Sequence, residues 1–171
     1  MIERITAVIV NILSKILILL MATIVLDVTW QVFTRFLTQN PSSFTEELAG
    51  FLLIWIGLLG SSYALYTRAH LGIDILTSKL TGTRKIISET SVWVVVACFA
   101  LFVLVIGGIR LVSLTLTLNQ VSPAMGVPMG YVYLVLPTTG LLMIYFSVVN
   151  IYYSLTIEHT VTDFHTGSAI D

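Results

Sequence analysis

Four long apolar runs constrain this chain of 171 residues more than anything else in it. A helix that crosses a bilayer needs about 20 mostly apolar residues. No charged residue occurs from Leu48 to Thr67, from Thr90 to Ile109 or from Met129 to Ile157. A fourth run, between Ile5 and Phe36, is longer than one crossing needs, which implies tilt or an end protruding into water. Inside hydrocarbon the backbone must satisfy its own hydrogen bonds, and runs of this length do so as helices. The predicted fold class is therefore an all-α integral membrane protein. Four transmembrane helices are expected at about 5–36, 44–67, 86–115 and 129–157, forming one membrane domain over 1–157 with a polar, frayed tail over 158–171. No internal repeat is visible.

Composition excludes several classes. Charged residues make up 10% of the chain and hydrophobic ones 57%, whereas a soluble domain carries roughly 25% charged residues. The net charge of -1 leaves no basic field to hold nucleic acid. The single cysteine, Cys98, excludes a disulfide within the chain, and a thiol in an apolar run stays protonated and packs. The N-terminal run is interrupted by Lys15 and continues beyond Met21 without a small-residue cleavage pattern, so it reads as a retained helix. No P-loop, metal triad or nucleophile–base spacing occurs, and no cofactor is expected. His70, His159 and His165 all fall outside the spans, which argues against haem ligation.

The connections carry their own signals. Asn40-Pro41 favours a turn, and Ser43 with Glu46 fits a capping box that opens the second helix. Glu46 and Glu47 then lie in the first turn, where the helix dipole favours acids. Over residues 69–81, Ala69, Ile73, Leu76 and Leu80 share one helical face, opposite Asp74, Thr77, Ser78 and Thr81. That pattern predicts an amphipathic helix lying in the membrane interface, although Gly72 leaves an ordinary loop open. Pro137 is expected to kink the fourth span, and Trp55 and Trp93 to serve as packing or belt residues. Arg68, Lys79, Arg84 and Lys85 lie between spans two and three, and no basic residue lies between spans three and four. The positive-inside rule then puts the basic loop and both termini in the cytoplasm.

Charge inside the membrane is the strongest chemical lead, because it costs roughly 2.5–3.5 kcal/mol at the bilayer centre on insertion scales. Asp27 lies roughly 18 Å along the helix from Lys15, at about 1.5 Å per residue. Thr23, Asp27, Gln31 and Arg35 follow at steps of four and form one polar stripe on the first helix. Such a stripe faces another helix rather than lipid. Asp27 is then either a proton or cation site, or structural glue, with its carboxyl hydrogen-bonded and Arg35 paired to Glu46 or Glu47. Arg110, closing the third run, is the remaining membrane charge. If Asp27 titrates, the chain could work alone as a homodimeric proton-coupled exporter.

Several segments resemble the small membrane subunit of tripartite ATP-independent periplasmic (TRAP) transporters. They are Trp30-Gln31-Val32-Phe33-Thr34-Arg35-Phe36, the acidic pair in Ser43-Phe44-Thr45-Glu46-Glu47-Leu48-Ala49-Gly50, the following span to Gly60, His70-Leu71-Gly72-Ile73-Asp74, and Pro123-Ala124-Met125-Gly126-Val127-Pro128-Met129-Gly130-Tyr131 with Leu136-Pro137. Gly50 departs from the pattern, where a polar or basic residue is expected. The resemblance implies a non-catalytic subunit in a bacterial inner membrane. It implies a scaffold packed beside a large elevator-type membrane subunit, with a periplasmic binding protein delivering the substrate. It further implies sodium-driven import of an organic acid of the C4-dicarboxylate or sialic acid class.

Overall fold

The computed structural model describes residues 2–37, 42–67 and 83–167. The amphipathic element expected at 69–81, with Ile73, Asp74, Leu76 and Leu80, lies outside the described residues. Helix α1 spans Ile2–Leu37, α2 Ser43–Tyr66 and α3 Thr83–Phe99; a π-helical segment, Ala100–Gly107, leads into α4 at Gly108–Thr117. After a loop come α5, Met129–Tyr133, and α6, Val135–Gly167, so the last helix runs well past the limit expected at 157. Four stretches are long and apolar enough to cross a membrane: Glu3–Leu37, Ser43–Tyr66, Thr90–Thr117 and Met129–Tyr152. The all-α, four-span fold read from the sequence is thus the fold of the chain.

The helices are not equivalent. Helix α1 lies along α2, α2 along α6, and α6 along the third span. In α1 only 11% of the most apolar stretch is buried, against 39% in the fourth span. The fourth span is therefore the spine and α1 the least covered member. The core draws on Leu13 of α1, Leu59 and Leu65 of α2, Trp93 and Leu104 of the third span, and Phe146 of α6. Trp55 packs against this core and its indole N–H donates to the Val132 carbonyl at 3.1 Å, tying α2 to α5. Cys98, expected to pack inside, is exposed, because the buried face of its helix is taken by Trp93 and Ala100.

Small residues set the closest approach, as expected where lipid tails offer no hydrophobic driving force between helices. A Cβ at Gly140 would lie 2.7 Å from Val105 Cγ2 and 2.9 Å from Leu104 Cβ. One at Gly108 would lie 2.9 Å from Leu136 Cβ and 3.0 Å from Pro137 Cδ. The widened π turns bring Ala100 and Leu104, both buried, onto Gly140. The fourth span is interrupted at Leu134. The Pro137 ring would clash with the carbonyl four residues back, that of Tyr133, so the helix breaks there and restarts. Pro137 then falls in the first turn of α6, where its missing N–H costs nothing.

The start of α2 differs from the expected capping. The N-cap of α2 is Ser42 rather than Ser43, and no side-chain cap bond is made. Ser42 instead supplies its carbonyl to Glu46 N–H at 3.3 Å and to the Thr45 hydroxyl at 2.9 Å. At the end of α4, Asn119 adopts φ 48 and Gln120 N–H reaches the Thr115 carbonyl at 3.0 Å. With Asn119 N–H on Leu116 O at 3.1 Å, this is a Schellman closure. The loop then folds on itself: Ser122 N–H donates to Val127 O at 2.9 Å, and Met129 N–H to Gln120 O at 2.9 Å. Gly126, at φ 66, supplies the left-handed residue that this turn requires.

Candidate functional site

Polar side chains gather at the end of the bundle formed by the last turns of α1, the first turns of α2 and the 118–129 loop. Glu47 is the centre. Its Oε2 accepts the N–H of Ala124 at 3.0 Å and that of Met125 at 2.9 Å. The Met125 N–H is shared with Ser122 Oγ at 3.2 Å, and Ser122 is itself buried. A carboxylate facing two converging backbone N–H groups makes charge-assisted bonds, about twice as strong as neutral ones. The first turn of α2 is thereby fastened to a loop 77 residues away in the sequence. A cavity of about 540 Å³ opens beside this clasp, lined by Ser43, Phe44, Glu46, Glu47, Pro123 and Ala124.

A second crevice, of about 620 Å³, lies between α1 and α2 and is lined by Gln31, Val32, Arg35, Glu46, Ala49, Gly50 and Leu53. Arg35 and Glu46 share it, yet neither Glu46 nor Glu47 forms an ion pair with Arg35. The pairing expected from the sequence is not made, because Glu47 is turned to the loop and Glu46 and Arg35 are both exposed. Exposed pairs of long side chains gain little, so nothing forces them together.

The stripe on α1 is graded in depth. Thr23 is half-buried and its hydroxyl donates to its own helix, at Leu19 O, 2.8 Å. Asp27 is only 7% exposed, Gln31 is half-buried and Arg35 is exposed. Asp27 Oδ2 is buried without a hydrogen-bond partner. Among the described residues, the hydrogen-bonded glue expected of this carboxyl is therefore not made at that oxygen. Arg110 is exposed on α4 and pairs with no acid among the described residues; Ser113 Oγ donates to its carbonyl at 2.9 Å. No group of three or more His, Cys, Asp or Glu side chains that could hold a metal occurs among the described residues. The clasp itself was missed by sequence reading. The Glu46–Glu47 pair and the Pro-Ala-Met-Gly turn were both visible, but nothing local links them.

Four spanning helices, with a carboxylate clasp at one end and a polar stripe along one helix, define a multi-pass membrane component built around helix packing. Residues 24–156 match the family described as tripartite ATP-independent periplasmic transporters, DctQ component, and the chain belongs to that family. It is a transport component and not an enzyme. It is 30% identical over 132 residues to the isethionate TRAP transporter permease protein of Oleidesulfovibrio alaskensis, covering 72% of this chain and 20% of that one. It is 37% identical over 70 residues to the sialic acid TRAP transporter small permease protein of Vibrio cholerae, covering 41% of this chain and 40% of the relative. A TRAP transporter small permease protein of Haemophilus influenzae is 28% identical over 111 residues, covering 64% and 66%. The matched segment thus spans a minor part of the first two relatives.

Proposed function

We propose that this chain is the static small subunit of a sodium-driven organic-acid importer, packed beside a separate large membrane subunit. Its clasped loop faces a periplasmic binding protein. The observation that carries the reading is the family match over 24–156. The Oleidesulfovibrio relative supports the large partner: there the matched segment is 20% of one permease chain, leaving a much larger remainder beside it. The names of relatives cite isethionate and sialic acid, both organic acids, so a C4-dicarboxylate, a sialic acid or a sulfonate fits the same scaffold. Scaffold work suits a chain whose spine is sealed by glycines and whose loop is pinned by Glu47.

Two measurements test this. An affinity-tagged copy, produced together with the large subunit, is expected to retain it through detergent purification; its complete loss in every mild detergent would overturn the reading. The proposed location is the bacterial inner membrane with both termini and the 68–85 segment in the cytoplasm, supported by the basic residues at Arg68, Lys79, Arg84 and Lys85. Reporter fusions after Leu80 and after Val121 should report cytoplasm and periplasm respectively. The reverse pattern at both positions would invert the assignment and move the clasp to the wrong side for a binding protein.

A further inference from the structure

We infer that the crevice between α1 and α2 is a phospholipid site that takes a phosphatidylethanolamine headgroup, with its phosphate on Arg35 and its ammonium on Glu46. Such a site needs only the membrane fold and is independent of the subunit reading.

The level of the crevice in the membrane follows from the sequence of its walls. Gln31, Val32 and Arg35 of α1 face Glu46, Gly50 and Leu53 of α2 across it. The charge-free run from Leu48 to Thr67 is just long enough, at about 1.5 Å per residue, to cross a hydrocarbon core of about 30 Å. Glu46 stands just before that run, at the level of the lipid headgroups, and Arg35 shares the level because it lines the same crevice. Gly50 and Leu53 lie inside the run, so the crevice reaches from the headgroups down into the apolar layer. It is open at Gly50, where an added Cβ would meet nothing within 4 Å. Its volume of about 620 Å³ falls within the range of small-molecule sites, about 300–1,000 Å³.

The lining charges are one of each sign, and they are not joined. Among the described residues Arg35 and Glu46 hold no ion pair, with each other or with any other group. Thr38, Gln39, Asn40 and Pro41, next to them in the sequence, bring no charge. The charged residues of 68–82 follow α2, whose described helix ends roughly 30 Å from Glu46 at about 1.5 Å per residue. A ligand of one sign fits this pair poorly. Phosphatidylglycerol could set its phosphate on Arg35 but would leave Glu46 facing an anion, and a lone basic side chain would do the reverse to Arg35. Phosphatidylethanolamine carries both signs on one short headgroup. A guanidinium binds phosphate through two parallel N–H bonds, and a primary ammonium offers a carboxylate three N–H donors. A choline headgroup has no such donor. Below the charges, Val32 and Leu53 give apolar walls to the first carbons of an acyl chain. Of the four spans, α1 is the one its own chain covers least, with 11% of its most apolar stretch buried.

The test uses the full tagged chain, extracted in mild detergent with whatever subunits it retains. The probe is a phosphatidylethanolamine whose acyl chain carries a photoreactive group close to the glycerol. It should label a peptide of α1 or α2 that lines the crevice. Unlabelled phosphatidylethanolamine should compete for that label about tenfold better than phosphatidylcholine or phosphatidylglycerol with the same acyl chains. Gly50→Trp fills the crevice from a position where an added Cβ meets no atom. It should lower the crevice label about tenfold and leave labelling of the third span as in the parent. Arg35→Gln, at an exposed position that tolerates change, should lower it about fivefold by removing the charge-assisted bonds to phosphate. Glu46→Gln removes the partner of the ammonium, so the advantage over the other two lipids should fall to about twofold or less. No crevice label, or equal competition by the three lipids in the parent, would overturn the proposal. So would a crevice label undiminished by Arg35→Gln. A photo-crosslinking residue at Val32, exposed on the crevice rim, should attach to lipid; attachment to another protein chain instead would show that a protein fills the site and would overturn the lipid assignment.

Discussion

Reconstituted alone into liposomes, this chain is expected to take up no organic acid under an inward sodium gradient. Liposomes that hold it together with the large subunit should accumulate substrate when the loaded binding protein is added. The expectation follows from where its polar chemistry lies. Midplane transport sites are built from paired, interrupted helices whose ends face the solute. Here the fourth span breaks at Leu134, near the loop end, and the first turn of the restarted helix is sealed against Gly108 by Leu136 and Pro137. The π turns of the third span are likewise closed, against Gly140. Among the described residues, the cavities beside Glu47, between α1 and α2, and beside Thr6 and Asn150 are lined by neither interruption. Substantial uptake by the purified chain would sink the subunit reading and revive a stand-alone exporter with Asp27 as its proton site.

The second large effect is expected at Glu47. Glu47→Ala removes the acceptor of two backbone N–H groups, at Ala124 and Met125. Losing both charge-assisted bonds shifts the loop's ordering equilibrium toward the free state. The loop should come free of α2 while the helices stay packed, because the α6 seam does not involve it. Amide hydrogen exchange at Ala124 and Met125 should accelerate severalfold. Uptake by the complete system should then need a correspondingly higher concentration of loaded binding protein, with the large subunit still co-purifying. Glu47→Gln keeps an oxygen acceptor but loses the charge and should fall between. Unchanged exchange at both amides, with unchanged dependence on binding protein, would show that the clasp has no role in docking.

The fold was legible because its cause is local. A bilayer converts each apolar run into a helix with no need for long-range information, so the four spans follow from the spacing of Arg68, Glu89, Arg110 and Glu158 along the chain. Pro137 gave the interruption of the fourth span for the same reason: its ring acts four residues back. Legibility failed where partners are distant in sequence. The pair Glu46 and Glu47 looked equivalent, and either could have met Arg35. Which of them turns to the loop depends on where α2 meets the 118–129 turn, and that is decided by packing on α6. Asp27 shows the opposite failure. The stripe was read from its period of four, but the period carries no news of whether a donor waits opposite. The cap of α2 slipped by one residue because Ser42 and Ser43 are chemically alike.

The clasp has a consequence for how freely this part of the chain can drift. Glu47 reads only the main chain of Ala124 and Met125, so it is indifferent to what side chains those two positions carry. Proline alone, lacking an N–H, is barred there. Selection can therefore rewrite the chemistry that the tip of the loop displays, exchanging alanine or methionine for charged, aromatic or polar groups, while the tether that holds the tip in place survives unaltered. A mooring blind to the side chains at these two positions lets one scaffold be refitted to a succession of docking surfaces by point substitutions.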